Sequence, residues 1–398
     1  LLIIWTVIML AAMVGQTRYA YYFAVNAALL VGYLCWRIPG WISGIPHWFG
    51  FKEPSPAEKR KEEKRKRRKE AKKGRVRERE ESRGVIARYL KARYIPAALA
   101  IVIVFFLAFY PNICEAKNLA KNPWGPNGDW HDSLVWLREN SPDPFGDPDF
   151  YYELYDRPPA GEAYDYPESA YGVMSWWDYG HWITRIAHRI PNANPHQVGI
   201  GGPFQGDTPG ACTFLTAQNE SSASEILDAL GSRYVIIDIE TATSKFPVIP
   251  TWAGLDRNDF FEAFYWTTSE GTLQAAILYH PAYYQSICSR LYNFGGEAVV
   301  PVNSSWVISY AERIDEQGNI YKVLTDVAND SQPFATYEEA QAYVDEHPGY
   351  IIVGTSPFIS PVPLEELEHY ELIYQSPSVV VERGDENISY VEIFEYLP

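Results

Sequence analysis

Two apolar stretches dominate the first part of the chain. Residues 1–36 are almost all apolar, with one polar break at Gly15-Gln16-Thr17-Arg18, and Ile95–Tyr110 forms a second run. A membrane-spanning helix needs about 20 apolar residues. The pattern therefore predicts two transmembrane helices in residues 1–38, the first of them truncated, and a last one in residues 95–111. Because the chain begins inside an apolar run, without Met or a charged leader, we expect a fragment of a longer protein.

Charge separates the segment between these runs from the rest of the chain. Lys52–Arg93 holds 19 Lys or Arg and 8 Asp or Glu, a net charge of +11. The positive-inside rule places this basic linker, residues 39–94, in the cytoplasm and the region from residue 112 outside the cell. From Tyr94 onward, 13 basic and 42 acidic side chains give −29. Such an acidic domain repels nucleic acid, so no nucleic-acid partner is expected.

The pattern from residue 112 to residue 398 changes from helical periods to short strand-like runs. The predicted fold class is a membrane-anchored α+β protein, in which transmembrane helices precede a mixed α/β extracellular domain that becomes β-rich from about residue 297. Helices are predicted at Trp130–Asn140, Gly180–Arg189, Ser222–Leu230, Asp259–Trp266 and Tyr337–Glu346. Strands are predicted at Tyr234–Asp238, Val299–Val302, Trp306–Tyr310, Tyr350–Gly354, Leu372–Gln375, Ser378–Glu382 and Tyr390–Glu395.

The most informative motif is the string Trp176-Trp177-Asp178-Tyr179-Gly180. A carboxylate accepts a hydrogen bond from a hydroxyl, and an indole N–H donates one to it. Two Trp and an Asp can therefore form a site for a small alcohol side chain. The competing interpretation is structural, with two core aromatics and an Asp that caps the following helix.

This WWDYG string resembles the signature of oligosaccharyltransferase catalytic subunits, and the chain as a whole resembles the C-terminal part of the archaeal, AglB-type members. The resemblance implies a glycosyltransferase of the dolichyl-phosphooligosaccharide-protein type, which moves a lipid-linked oligosaccharide onto Asn in Asn-X-Ser/Thr. It also implies that Trp176, Trp177 and Asp178 bind the +2 Ser/Thr hydroxyl of this acceptor sequon.

Two further segments carry the resemblance. Lys245 and Ile249 match the family's Lys-x-x-x-Met/Ile element, in which the apolar residue contacts the methyl group of a +2 Thr. The short family form has Asp three residues before Lys, where this chain has Ala242, and the nearest Asp is Asp238. Arg18 lies in an Arg-aromatic segment that resembles the one contacting the lipid phosphate of the donor, and a guanidinium suits phosphate oxygens.

The resemblance also implies what the chain lacks. In the family, the catalytic acids and the ligands of a divalent metal, Mn or Mg, lie on loops that precede Leu1. We therefore predict no catalytic residue and no metal ligand here, and no turnover by this segment alone. The expected partners are an acceptor polypeptide, a dolichyl-phosphate- or pyrophosphate-linked oligosaccharide and membrane lipid, and the implied enzyme is a single-subunit, multi-pass protein of the cell membrane.

Other polar groups have simpler interpretations. We interpret Asp143, Asp147 and Asp149 as residues of a surface loop, and we expect His181 and His188 to pack or face solvent. Cys212 and Cys288 could form a disulfide if their domain is extracellular. The chain also contains four sequons of its own, which begin at Asn219, Asn303, Asn329 and Asn387.

Two other functions remain open at the level of sequence. One is a non-catalytic, membrane-anchored extracellular domain that binds carbohydrate or serves the cell envelope. The other is a different polytopic glycosyltransferase that uses a lipid-phosphate sugar.

Overall fold

The computed structural model describes residues 2–15, 20–43, 99, 102–103, 105–121, 125–147, 149–152, 158–159, 162, 164–268, 271–315, 317–382 and 387–398. The chain divides into two compact units, Leu1–Gly125 and Pro126–Pro398. All of the candidate site residues except Arg18 lie in the second unit.

The first unit contains helices α1 (Leu2–Gly15), α2 (Ala20–Ser43) and α3 (Tyr110–Lys121), with a π-helical turn at Phe105–Phe109. Helix α1 has 14 residues, fewer than the about 20 that a span requires. Helix α2 is longer, but Asn26 and Arg37 interrupt its apolar sequence. Within the described ranges, no helix combines the length and hydropathy needed to cross a membrane.

The predicted fold class was therefore wrong in its membrane-spanning part. What the structure describes is a mixed α/β globular fold in the second unit. Of the basic linker predicted at residues 39–94, the part from residue 44 lies outside the described residues.

The second unit alternates short helices and strands. Its helices are α4 (Gly128–Asn140), α5 (Gly180–Trp182), α6 (Ala211–Thr216), α7 (Glu220–Ala229), α8 (Ile239–Ala242), α9 (Ile249–Trp252), α10 (Pro281–Gln285), α11 (Ile287–Phe294) and α12 (Tyr337–Glu346). Further single helical turns occur at Phe150–Tyr152, Trp177–Tyr179, Ile183–Ala187, Pro203–Gln205, Phe246–Val248, Arg257–Asp259 and Ala328–Ser331. The strands are β1 (Gly172–Met174), β2 (Ile190–Pro191), β3 (Ser232–Asp238), β4 (Phe261–Thr267), β5 (Leu273–Tyr279), β6 (Trp306–Ile314), β7 (Ile320–Val327), β8 (Tyr350–Val353), β9 (Tyr370–Gln375), β10 (Val379–Val381), β11 (Ile388–Ser389) and β12 (Val391–Tyr396).

Two five-stranded sheets organise these elements. The first has the order β2-β1-β3-β12-β9, and its strands β2, β1 and β3 run parallel, while β12 pairs antiparallel with β3 and β9. The second has the order β5-β4-β7-β6-β8 and is antiparallel except for the β4–β7 pair. Strands β10 and β11 form a separate two-stranded ribbon.

The core surrounds β3, the central strand of the first sheet. Its residues Tyr234–Asp238 are all buried, which is typical of a strand covered on both faces. Helix α11 is buried along its whole length, and α4 buries Trp130, Leu134 and Leu137. Asn127 caps α4 by accepting a hydrogen bond from the Trp130 N–H at 2.9 Å, so the local sequence fixes where this helix begins.

Most predicted elements are confirmed, and two are wrong. Helix α12 and strands β3, β8, β9 and β12 lie where the sequence predicted them within one or two residues, and β6 begins at the predicted Trp306 but continues past the predicted end, Tyr310, to Ile314. Asp259–Trp266 was predicted as a helix, but it forms most of β4, which pairs with β5 along seven residues. Val299–Val302 was predicted as a strand, but only Val299 pairs there, in an isolated bridge with Leu364.

Candidate acceptor-binding site

The WWDYG string follows β1, and Asp238 ends β3. Because β1 and β3 are parallel neighbours, the segments after them meet at one edge of the first sheet. Crevices at the carboxyl ends of parallel strands are common ligand sites in α/β sheets. The topology therefore brings together two segments that are about 60 residues apart in the sequence.

The backbone after the two Trp residues makes a tight approach to the loop that follows β2. Gly180 has φ −55° and opens α5. A Cβ on Gly180 would lie 2.3 Å from the carbonyl oxygen of Ala193 and 2.7 Å from Cα of Asn194. Only glycine therefore allows the WWDYG segment to approach this loop so closely.

The two indoles of the motif have different environments. Trp176 is 3% exposed, whereas Trp177 is half-buried, and their ring centroids lie 6.0 Å apart. The Nε1 of Trp177 is buried and has no hydrogen-bond acceptor among the described residues. An unpaired buried donor is costly, by about 1–3 kcal/mol. The Nε1 of Trp177 is therefore a candidate hydrogen-bond donor to a bound ligand.

Lys245 joins the two segments of the site. Its Nζ lies 2.9 Å from Oδ2 of Asp178 and 3.3 Å from Oε2 of Glu240. The same ammonium donates to the hydroxyl of Tyr179 at 2.7 Å and lies 4.2 Å from the centroid of that ring. The side chains of Asp178 and Lys245 are 34% and 24% exposed, so solvent reaches this pair.

Asp238 is a buried carboxylate that accepts hydrogen bonds from several residues around the site. Its Oδ2 accepts hydrogen bonds from Nε1 of Trp130 at 3.0 Å and from the hydroxyl of Tyr179 at 2.5 Å. Its Oδ1 accepts from the backbone N–H of Thr241 at 2.8 Å and so caps α8. Burial raises the pKa of Asp238, and these hydrogen bonds act in the opposite direction. Burial, together with Asp238, also raises the pKa of Tyr179, so this phenol stays protonated.

Tyr390, in the C-terminal part of the chain, also contacts the residues of this site. The hydroxyl of Tyr390, which lies between β11 and β12, donates to Oε1 of Glu240 at 2.9 Å. Glu240 is thus held by Tyr390 on one oxygen and by Lys245 on the other. We call Trp177, Asp178, Tyr179, Asp238, Glu240 and Lys245 the polar cluster.

The structure brings together some of the predicted residues and separates others. Asp178 and Lys245 are in direct contact, and Trp177 immediately precedes Asp178 in the sequence. Ile249, in α9, is fully buried, as Trp176 nearly is, so neither presents a side-chain surface to solvent in this conformation. Arg18 lies outside the described residues. Sequence reasoning missed Trp130, Tyr179 and Glu240 as members of the network, although Tyr179 belongs to the motif itself.

The remaining polar groups fit their simpler interpretations. Asp143 accepts from the backbone N–H of Phe145 at 2.9 Å, and Asp147 from that of Asp149 at 2.9 Å, so these carboxylates stabilise their own turns. His188 contacts the hydroxyl of Tyr152 at 3.1 Å, and burial lowers its pKa. Cys212 and Cys288 are both buried and free, without the disulfide considered from the sequence.

The described residues do not fit a metal centre. In those ranges, no group of three or more His, Cys, Asp or Glu side chains is placed to hold an ion. The carboxylates of the polar cluster are instead engaged by Lys245, Tyr179, Tyr390 and Trp130.

Comparison with known sequences relates this chain to a family. Residues 127–242 match the family described as the AglB core domain. The chain is 33% identical over 279 residues to dolichyl-phosphooligosaccharide-protein glycotransferase 3 of Archaeoglobus fulgidus, a match that covers 68% of this chain and 28% of the relative. It is also 33% identical over 276 residues to dolichyl-monophosphooligosaccharide–protein glycotransferase AglB of Haloferax volcanii, covering 64% of this chain and 25% of the relative.

Solved structures agree with the sequence comparison. The apo oligosaccharyltransferase of Archaeoglobus fulgidus superposes with a TM-score of 0.54 at 25% identity, over 99% of this chain and 42% of that chain. The same enzyme tethered to an acceptor peptide containing the NVT sequon gives a TM-score of 0.52 at 25% identity, over 99% of this chain and 43% of that one.

The matched relatives are named as glycotransferases that act from dolichyl-linked oligosaccharides. Over the part that the matches cover, the chain belongs to the archaeal AglB-type oligosaccharyltransferases, and the resemblance inferred from the sequence is confirmed. The chain spans 28% and 25% of the lengths of the two curated relatives.

Proposed function

We propose that this chain recognises the acceptor sequon in an oligosaccharyltransferase, which transfers a lipid-linked oligosaccharide to the Asn of Asn-X-Ser/Thr. The observation that carries the proposal is the pairing of Asp178 with Lys245, together with the unpartnered Nε1 of Trp177 on the preceding residue. A partly exposed carboxylate and an unsatisfied indole donor thus belong to consecutive residues, at a sheet edge that commonly binds ligands.

The chemistry of a hydroxyl matches these two groups. A Ser or Thr hydroxyl donates one hydrogen bond and accepts others, so it can donate to Asp178 while it accepts from Trp177. In this arrangement the +2 hydroxyl takes the place that the Lys245 ammonium holds on Asp178, and Lys245 keeps Glu240 and Tyr179 as partners. Rejection of other side chains follows, because an apolar residue leaves the carboxylate and the indole unpaired.

We assign supporting roles to the buried members of the predicted site. Trp176 and Ile249 are buried in the present conformation. We propose that Trp176 supports the backbone of the motif. We further propose that Nε1 of Trp177 and the side chain of Ile249, both buried here, reach the +2 residue only when peptide binding changes the conformation around them. The methyl contact is worth about 0.8 kcal/mol, the value of one buried CH₂.

The remaining components of the reaction are proposed from the relatives. The names of these relatives describe dolichyl-linked donors and glycotransferase activity. We therefore propose a dolichyl-phosphate- or pyrophosphate-linked oligosaccharide as the donor, with Arg18 on its phosphate, and membrane lipid around it. We further propose a single-subunit enzyme whose acceptor-binding unit faces the extracellular side. The divalent metal, Mn or Mg, would have ligands outside the described residues.

The test measures sequon discrimination by the full-length enzyme. Matched peptides with Asn-X-Thr and Asn-X-Ala are titrated against wild type and Asp178→Asn by calorimetry. We expect wild type to prefer Thr, and Asp178→Asn to lose most of this preference, because a neutral amide has one acceptor oxygen in place of two and accepts a hydrogen bond less strongly than a carboxylate. Asp143→Asn, a change at an exposed turn carboxylate, is the control. An unchanged Thr-to-Ala ratio in Asp178→Asn contradicts the proposal.

A further inference from the structure

The chain carries four sequons, and the structure presents them very differently. At Asn303, the +2 residue Ser305 is fully buried, and its hydroxyl donates to the carbonyl of Pro361 at 2.6 Å. At Asn387, the +2 residue Ser389 is 5% exposed and lies in β11. Because sequon recognition requires the +2 hydroxyl, neither triplet is available without disrupting buried structure.

Asn329 is exposed, but its amide group is engaged. Its Nδ2 donates to the carbonyl of Pro333 at 3.1 Å and to that of Gln332 at 3.4 Å. Asn329, Asp330 and Ser331 all have positive φ, of 56°, 51° and 60°. The nitrogen that would receive a glycan therefore stabilises a left-handed turn.

Asn219 differs from the other three. Both Asn219 and Ser221 are exposed. Asn219 caps α7 by accepting from the N–H of Ser222 through Oδ1 at 2.8 Å, and its φ of −148° and ψ of 157° are extended. A glycan attaches to Nδ2 and leaves Oδ1 unchanged, so the cap survives the modification.

The cost of opening also favours Asn219. To enter an acceptor site, the first turn of α7 has to unwind, which breaks the cap and the two hydrogen bonds that Glu220 accepts from the N–H groups of Glu368 and His369. These contacts lie at the surface and at a helix end, where local opening needs the least free energy. Opening at Asn303 would instead remove the fully buried Ser305 from its hydrogen bond.

We propose that Asn219 is itself an N-glycosylation site, modified by a second copy of this enzyme. This inference rests on the proposed function. A unit that holds the acceptor site shares a compartment with its acceptors, so its own sequons face the same donor. Nδ2 of Asn219 forms a bond to the anomeric carbon of the lipid-linked oligosaccharide. The bond from that carbon to the phosphate oxygen breaks, the lipid phosphate leaves with the electron pair, and one amide proton passes to a base.

The experiment uses the full-length protein made in cells that contain the lipid-linked donor. Trypsin releases the peptide between Arg189 and Arg233, in which Asn219 begins the one sequon. Mass spectrometry should find this peptide with an added glycan mass, and the peptides with Asn303 and Asn387 without one. Ser221→Ala should abolish the modification because it removes the +2 hydroxyl but leaves the cap, whereas Ser221→Thr should retain it.

Three outcomes overturn the inference. The first is an unmodified Asn219 peptide from a preparation that glycosylates an added Asn-X-Thr peptide, which leaves the proposed function intact. The second is a glycan that persists in Ser221→Ala, and the third is a glycan on Asn303, Asn329 or Asn387 in place of Asn219. A preparation that glycosylates neither the added peptide nor Asn219 refutes the proposed function, and the inference with it.

Discussion

The ammonium of Lys245 lies 2.9 Å from the carboxylate of Asp178, although the two residues are 67 positions apart in the chain. This contact depends on the parallel pairing of β1 with β3, which brings the segment after each strand to the same edge of the sheet. Lys245 also has Glu240 at 3.3 Å. Asp178, the carboxylate proposed to bind the hydroxyl, therefore shares the ammonium of Lys245 with Glu240.

Glu240→Gln should weaken acceptor binding by removing the second acid. With Glu240 neutral, Lys245 is held more firmly on Asp178, and an incoming hydroxyl has to displace it. Exposed ion pairs contribute about 0.2–1 kcal/mol, so we expect Kd for an Asn-X-Thr peptide to rise by up to about fivefold. Calorimetry on the full-length enzyme measures this change. Glu225→Gln, at an exposed position of α7, should leave Kd unchanged, and an equal effect in both variants would argue against the sharing of Lys245.

Asp238→Ala should strongly destabilise the globular unit. The change leaves Trp130 Nε1, the Tyr179 hydroxyl and the Thr241 N–H without their shared acceptor in a buried site. Each unpaired buried donor costs about 1–3 kcal/mol, so we expect a loss of more than about 3 kcal/mol in the free energy of unfolding. Urea denaturation followed by tryptophan fluorescence measures it. Asp132→Ala, at an exposed carboxylate, should change stability by less than about 0.5 kcal/mol.

The sequence predicted helix α12 fully and assigned the wrong type of element to β4. Helix α12 was predicted at its observed bounds, and Thr336 caps it locally by accepting from the Glu339 N–H. Strand β4 was mistaken for a helix, although five of its seven residues, in the sequence FEAFYWT, are aromatic or β-branched types that favour strands, in agreement with its seven pairings with β5.

The site divides in the same way. The motif and Lys245 were recognisable from the sequence, through the family resemblance. The hydrogen bond from Trp130 to Asp238 joins residues 108 positions apart, and the one from Tyr390 to Glu240 joins residues 150 apart. Neither contact has a signal in the local sequence, because each depends on how the first sheet packs against α4 and on where β12 enters it.

Gly180→Ala should displace the WWDYG segment, because the added Cβ would clash with the backbone of the loop that follows β2. The atoms in the way, the carbonyl oxygen of Ala193 and Cα of Asn194, cannot rotate aside as a flexible side chain would. We expect a loss of about 1–3 kcal/mol, typical of overpacking, together with weaker peptide binding. Gly128→Ala is the matched control, because a Cβ there meets nothing within 4 Å and alanine favours the helix. Equal stability of the two variants would show that, in solution, Gly180 lies farther from the loop that follows β2 and leaves room for a Cβ.

Glu392 should make the stability of the unit depend on pH. Its side chain is 2% exposed, and Oε1 accepts from Nε2 of Gln375 at 3.0 Å and from the Ser389 N–H at 3.2 Å. Burial raises the pKa of Glu392 from 4.5 to about 7. The folded state therefore binds this proton more tightly than the unfolded state. The contribution of Glu392 is most favourable below about pH 4.5 and is lost as the pH rises through about 7.

The neutral variant Glu392→Gln keeps an acceptor for Gln375 and Ser389 but cannot ionise. We expect it to be more stable than wild type at pH 8, by up to about 3 kcal/mol, and to approach wild type at pH 5. Thermal unfolding of both proteins between these two pH values measures the difference, and subtraction removes the contribution of the other titrating groups. Parallel curves for the two proteins would mean that Glu392 ionises in the folded state as it does in water.

Trp177→Phe should separate binding from stability. In the free protein, Nε1 of Trp177 is buried without an acceptor in the described part of the chain, so its removal costs no hydrogen bond. Phe keeps an aromatic ring, and we expect the free energy of unfolding to change by less than about 1 kcal/mol. Binding of an Asn-X-Thr peptide should weaken by about 1 kcal/mol or more, because the sequon hydroxyl loses its donor. Trp136→Phe, which alters an indole stacked on Tyr374 at 4.8 Å away from the polar cluster, should leave peptide affinity unchanged. If Trp177→Phe binds peptide as wild type does, the indole N–H has no role in recognising the hydroxyl, and Asp178 alone would have to supply the discrimination.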